Sequence, residues 1–277
     1  MTCAPDRRAI DRAVRVLLTV AYDGAPFAGW QRQRGEDTVQ ERLETAFARL
    51  FGTPVHVEGA GRTDAGVHAL AQRAHADLPR PWPLPALLRA LNANLPPSIA
   101  VRAVRVVPDD LHARFDARAK RYVYRILCGP RRPVHARAWF HFEPVPLDVD
   151  AMRRAAALLV GEHDFASFAT NPGYPRRYGT VRRITHLHVR RHRRGVDIAV
   201  QGDGFLYNQV RTMAGALRDV GRGRRTVADL AAILAARDRR AAGATLPAHG
   251  LYLLSVLYRR DRLGPGGETR EGARTVQ

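Results

Sequence analysis

Residues 14–22, VRVLLTVAY, carry an apolar run rich in valine and leucine with little alternation, and the run predicts a mostly buried strand. A different period follows in TVQERLETAFARLFG. There Val39, Leu43, Phe47 and Leu50 fall on one helical stripe, Thr38 and Glu41 fit a capping box, and Gly52 closes the helix. PVHVEGA predicts a second strand that leads into a glycine-rich loop. AQRAHADL predicts a strand, LPALLRALNANL a helix and IAVRAVRVV a strand. The first hundred residues therefore read β-α-β, loop, β-α-β.

The grammar then repeats. RYVYRILC predicts a strand and DVDAMRRAAALLVG an amphipathic helix, while RRITHLHVRRH and GVDIAVQG predict a hairpin around Arg194–Gly195. FLYNQVRTMAGALRDVG and TVADLAAILAARD predict helices, and GLYLLSVLYRR a closing strand. This split pattern predicts an α+β chain of two ferredoxin-like α/β units with mainly antiparallel sheets joined side by side. The units are placed at residues 1–110 and 111–262, with a linker near VPDDLHARFDA. Residues 169–180 read as a turn-rich insertion, and residues 263–277 as a disordered tail.

With 277 residues, 45% of them hydrophobic, the chain can build a real core. Its formal net charge of +19 is the footprint of a polyanion binder, most simply a nucleic acid. Lys120 is the one lysine among 45 basic residues. Together with heavy alanine use this points to GC-rich coding, which explains arginine over lysine but not the excess of charge. Arginine also suits bidentate contacts to phosphate and stacking on bases. Cys3 and Cys128 form neither a metal spacing nor a disulfide framework. The apolar run after the basic N-terminus is broken by Arg15 and ends at Asp23 without a cleavage pattern. No stretch approaches the ~20 apolar residues of a membrane span. A soluble cytoplasmic protein is the expectation.

The loop GAGRTDAGVH, residues 59–68, admits three readings. A phosphate cradle has the right G-x-x-x-x-G frame, but Val67 and His68 stand where lysine and Ser/Thr are needed. A plain turn explains the glycines and an aspartate, yet has no use for Arg62 two residues before Asp64. A carboxylate presented at a loop tip, kept ionised by a nearby arginine, accounts for all of them.

That loop resembles the active-site motif of the TruA-type tRNA pseudouridine synthases. The likeness extends through YDGAPFAGWQRQ, VQERLETAF, LNANLPPSIAV, VPDDLHARFDARAKRYVYRI, GEHDFASF, VRTMAGALRDVG and GLYL, in that order, from about Val14 to Tyr258. The resemblance implies an isomerase that turns uridines 38, 39 and 40 of the tRNA anticodon stem-loop into pseudouridine. It also implies a catalytic cleft between the two units and a homodimer with tRNA lying across both subunits. Asp64 is then the catalytic nucleophile. Arg62 would orient it and hold its pKa down, or fill the gap left by a flipped base. Tyr122 would pack on the target base and relay the C5 proton, and Arg211 would complete the substrate pocket.

Pseudouridine formation breaks the N1–C1′ bond, turns the uracil, and joins C5 to C1′. Nothing is oxidised and no group is added, so no cofactor is needed. Whether Asp64 attacks C1′, adds to C6 or removes the 2′ proton stays open at this level. Arg32, Arg34 and Arg114 are candidates for the RNA path, while Phe27, Trp30 and Tyr124 read as packing residues. His186, His188 and His192 share a strand face with Arg190, whose charge argues against a metal. No metal and no membrane partner are expected. The rival class is a non-catalytic RNA-binding protein of the same fold, which would have no use for a lone anion facing phosphate.

Overall fold

The computed structural model describes residues 13–171, 173 and 179–263. The N-terminal basic stretch, half of the 169–180 insertion and the tail from 264 lie outside the described residues. The chain is α+β with mostly antiparallel strands, and its described residues form two compact units. Residues 13–65, 69–118 and 255–263 make the first unit, and residues 66–68 and 119–254 the second.

In the first unit β1 (Val14–Tyr22) is followed by α1 (Val39–Phe51), β2 (Val57–Gly59), β3 (His68–Leu78), α2 (Leu84–Ala93) and β4 (Ile99–Val106). β1 runs antiparallel to both β4 and β3, pairing Val16 with Val106 on one side and Ala76 on the other. The central place explains why β1 is apolar without alternation: Val16, Leu17, Leu18 and Val20 are fully buried. Helix α1 begins where Thr38 Oγ1 accepts from Glu41 N at 3.4 Å, and it ends on Gly52, whose φ of +73° suits only glycine well. Its buried stripe runs through Val39, Leu43, Ala46, Phe47 and Phe51, while Leu50 is half-buried.

The stretch VPDDLHARFDA, which ends next to the change of unit at Arg118, is well packed. Leu111 and Ala113 are fully buried, Ala113 N donates to His75 Nδ1 at 3.2 Å, and Tyr258 OH donates to Ala113 O at 2.5 Å. The chain is ordered past Asp261, where Arg260–Leu263 form a short 3₁₀ turn. There Arg262 bridges Asp110 at 3.0 Å and Asp116 at 3.1 Å.

The second unit runs β5 (Ala119–Cys128), β6 (His141–Glu143), α3 (Val149–Ala157), β7 (Gly161–Asp164), β8 (Val181–His192), β9 (Gly195–Gly202), α4 (Gln209–Gly221) and α5 (Val227–Ala236). Strands β5, β9, β8 and β7 lie in that order, all antiparallel, with β6 parallel along β5. The hairpin turns at Arg193–Arg194. Gly195 already belongs to β9, paired with Leu127 and His192, and the position is glycine because a side chain there would collide with Ile126 O of β5. β6 escapes sequence reading because it is three residues long. It is held by Glu143, a buried carboxylate with Arg218 Nη1 of α4 at 3.6 Å and Arg222 Nη1 at 3.5 Å. The last strand, β10 (Leu251–Leu257), contributes residues 251–254 to the second unit and 255–257 to the first.

His141 of β6 makes the fold acid-sensitive. Burial, reinforced by the charges of Arg218, His249 and Arg222, pushes its pKa from 6.5 down to about 4. Between those values the unfolded chain binds a proton that the folded chain refuses. Stability therefore falls as pH drops from 6.5 towards 4, with no further loss from this group below that. Thermal unfolding across that range should show the decline, and His141→Gln should make it shallower. His75 and His249, both shifted down by burial, leave a residual slope.

Candidate active site

The loop at residues 59–66 joins β2 to β3 and is gripped from below by the strap at residues 24–31. At Gly59 a Cβ would sit 2.5 Å from the Trp30 indole, and at Gly29 one would sit 2.6 Å from Thr63 O. Gly29 also has φ of +101°, so both approaches require glycine. Trp30 N donates to Thr63 O at 3.1 Å, Gln72 Nε2 to Gly61 O at 2.8 Å, and Ala60 N to Arg73 O at 2.7 Å. Tyr22 OH meets Thr63 Oγ1 at 2.8 Å. Burial raises the Tyr22 pKa, with Thr63 and Gln72 opposing in part, so the phenol stays neutral and able to donate.

The strap is itself anchored. Two amides at the start of α1, Val39 N and Gln40 N, donate to Gly29 O at 3.2 Å and Trp30 O at 3.0 Å. These are amides that a helix leaves without intrahelical partners, here satisfied by the strap. The result is that Thr63, immediately before Asp64, is fixed through both its carbonyl and its hydroxyl. Asp64 is half-buried at the tip, and exposed Arg62 donates its Nε to Gln31 Oε1 at 3.1 Å. Gly59 and Gly29 are there because an indole and a carbonyl press against their backbones. A free-standing turn would need neither.

Tyr122 and Arg211 belong to the second unit. Tyr122 sits on β5 opposite Val200 of β9, 8% exposed, with the ring of Phe205 edge-on at 5.2 Å and 83°. Arg211, in the first turn of α4, is half-buried rather than a solvent-facing helical arginine. Its Nε donates to Leu246 O at 2.7 Å and its Nη1 to Asn208 Oδ1 at 2.7 Å. Next in chain, Pro247 O accepts from Tyr124 OH at 2.8 Å, so Arg211 and Tyr124 hold one segment from two elements. Tyr124 is fully buried, and burial raises its pKa against the opposing charges of Arg211 and Arg218.

Arg62 and Asp64 thus share one loop of the first unit, and Tyr122 and Arg211 one unit of their own. The supports Tyr22, Gly29, Trp30 and Gln72 were not singled out in the sequence as holders of the loop. Gln72 is a fully buried amide in β3, a strand that also buries His68 and His75, so nothing in the sequence set it apart as a holder of the loop. Phe27 and Trp30 are buried packing residues. Arg32 lies 3.5 Å from Glu41 and 3.4 Å from Glu44, and the Arg114 guanidinium lies over the exposed Phe115 ring at 5.8 Å. His186 and His188 stand with ring centroids 6.0 Å apart, and His192 Nε2 is 3.6 Å from Asp197. Among the described residues, no group of three or more His, Cys, Asp or Glu could hold a metal ion, and no helix is long and apolar enough to cross a membrane.

A sequence model described as tRNA pseudouridine synthase matches residues 18–116 and 155–259, which include Arg62, Asp64 and Arg211. The tRNA pseudouridine synthase A of Limosilactobacillus fermentum is 45% identical over 249 residues, covering 88% of this chain and 96% of that protein. The same-named protein of Roseobacter denitrificans is 43% identical over 251 residues, covering 89% and 96%. That of Solidesulfovibrio magneticus is 48% identical over 260 residues, covering 88% and 91%. Identity of this level, sustained across both units, means that the chain belongs to the tRNA pseudouridine synthase family and is an isomerase.

Proposed function

We propose that this tRNA pseudouridine synthase acts on uridines 38, 39 and 40 of the anticodon stem-loop, with Asp64 as the nucleophile. The observation that carries the assignment is the loop at residues 59–66. Its glycines, its buried supports and the doubly fixed Thr63 all serve to hold one half-buried carboxylate in place. Positioning of this kind is what converts an ordinary carboxylate into an efficient nucleophile.

The remaining roles follow from charge and shape. A uridine in a stem must leave its stack, at a cost of a few kcal/mol, before its glycosidic bond can be reached. Arg62 helps to hold the displaced nucleotide. Tyr122 offers the extruded uracil a flat, largely desolvated partner and a route for the C5 proton. Arg211 binds the substrate with a guanidinium already restrained at two nitrogens. The +19 charge provides the salt-dependent attraction to tRNA phosphates. The reaction needs no cofactor, and the working form is a cytoplasmic homodimer.

The positions are tested with tRNA transcripts in which uridines 38, 39 and 40 are replaced by cytidine, singly and together. Each single replacement should remove pseudouridine at that nucleotide alone, and the triple replacement should remove all of it. Pseudouridine formed elsewhere in the triply replaced tRNA would overturn the anticodon-arm assignment.

A further inference from the structure

We propose that Asn208 is a positioning residue that serves the isomerisation by aiming Arg211. The inference rests on Arg211 being the substrate-binding residue described under Proposed function.

Asn208 stands at the junction between the loop after β9 and helix α4, with φ of +63° and ψ of 3°. Among the described residues only Asn208 and Arg237 adopt positive φ without being glycine. Asparagine tolerates that region better than most residues, yet the conformation still costs it something. The usual return for an asparagine in this position is a bond from its side chain to the first amides of the helix. Asn208 makes no such cap.

Its side chain is used elsewhere. Oδ1 accepts from Arg211 Nη1 at 2.7 Å, and Nδ2 donates to Thr170 Oγ1 at 3.1 Å. Arginine can only donate, which fixes the amide the right way round. Thr170 N in turn donates to Tyr207 O at 3.1 Å, tying the same loop to the segment after the 3₁₀ turn Ala166–Phe168. With Leu246 O on Nε at 2.7 Å, the guanidinium is held at two of its nitrogens by groups from two different segments. A backbone held in a costly conformation, a forgone cap and a short charge-assisted bond together indicate that aiming the arginine is the task of this side chain.

The test uses the full-length protein, with single-turnover rate, tRNA Kd and thermal unfolding read for each variant. Asn208→Gly accepts positive φ without strain and deletes both side-chain bonds, so it separates the side chain from the backbone. It should lower the rate about tenfold to a hundredfold with Kd changed less than about threefold. Asn208→Asp, which retains an acceptor for Arg211, should recover most of that loss. In Asn208→Gly/Arg211→Ala the asparagine change should add nothing to the defect of Arg211→Ala.

A rate for Asn208→Gly equal to wild type, an Asp variant as slow as the Gly variant, or a full additional loss in the double variant would each overturn the proposal. So would a fall in thermal stability with the rate of the folded protein intact. An Arg211→Ala protein as fast as wild type identifies a different failure, that of the substrate-binding role assigned to Arg211.

Discussion

Replacing Asp64 with alanine is expected to slow pseudouridine formation by about 10⁴-fold or more, the scale of loss when a nucleophile is removed from an otherwise intact site. The fold should survive, because the contacts that hold the loop belong to Thr63, Gly61 and Ala60 and not to the aspartate alone. Binding should be unchanged or tighter. Removing one negative charge from a chain of net charge +19 reduces repulsion toward a polyanion. The chemistry gives a direct readout: C5 exchanges its hydrogen for a bond to C1′, so tritium at C5 of uridine is released to water with each turnover. Loss of release with retained tRNA binding, at fixed salt, is the predicted pattern. Release at the wild-type rate would remove Asp64 from the mechanism.

The second large effect is expected at Trp30, which touches no catalytic group in this account. Its side chain is 2% exposed, lies against Gly59, and stands 6.0 Å from the Tyr22 ring. Trp30→Ala should destabilise the protein by about 3–5 kcal/mol, since it opens a cavity beneath the loop. For a chain of this size that lowers Tm by roughly 10 °C. The same cavity releases the loop that carries Asp64, and displacement of about 1 Å at a reacting group costs on the order of a hundredfold in rate. The two losses separate when turnover is measured well below the lowered Tm. An unchanged rate per folded molecule would make Trp30 a core residue only. Trp30→Phe, which keeps much of the volume, should fall between.

The elements with strong local signals were legible in the sequence. β1, α1, the long hairpin and the last helix appear where their periodicity placed them, and that helix, α5, carries a complete capping box between Thr226 and Asp229. What failed did so for identifiable reasons. The helix read from FLYNQVR starts only at Gln209, because a residue at positive φ cannot sit inside a right-handed helix. The helix read to Gly161 stops at Ala157, since Gly161 is held at φ of +115° and opens β7. β6 depends on a buried ion pair with a helix more than seventy residues later, which no local window contains. At the site, the motif displayed Arg62 and Asp64 but not their support. Gly29, Tyr22 and Gln72 come from three separate stretches, and only folding brings them to the loop.

The most direct test of the central claim maps pseudouridine at nucleotide resolution in one unmodified tRNA, treated in parallel with wild-type protein and with Asp64→Ala at concentrations that saturate binding of both. Wild type should modify 38, 39 or 40, wherever that tRNA has uridine, and a variant that still binds should modify none. Modification of the same nucleotides by Asp64→Ala would contradict it.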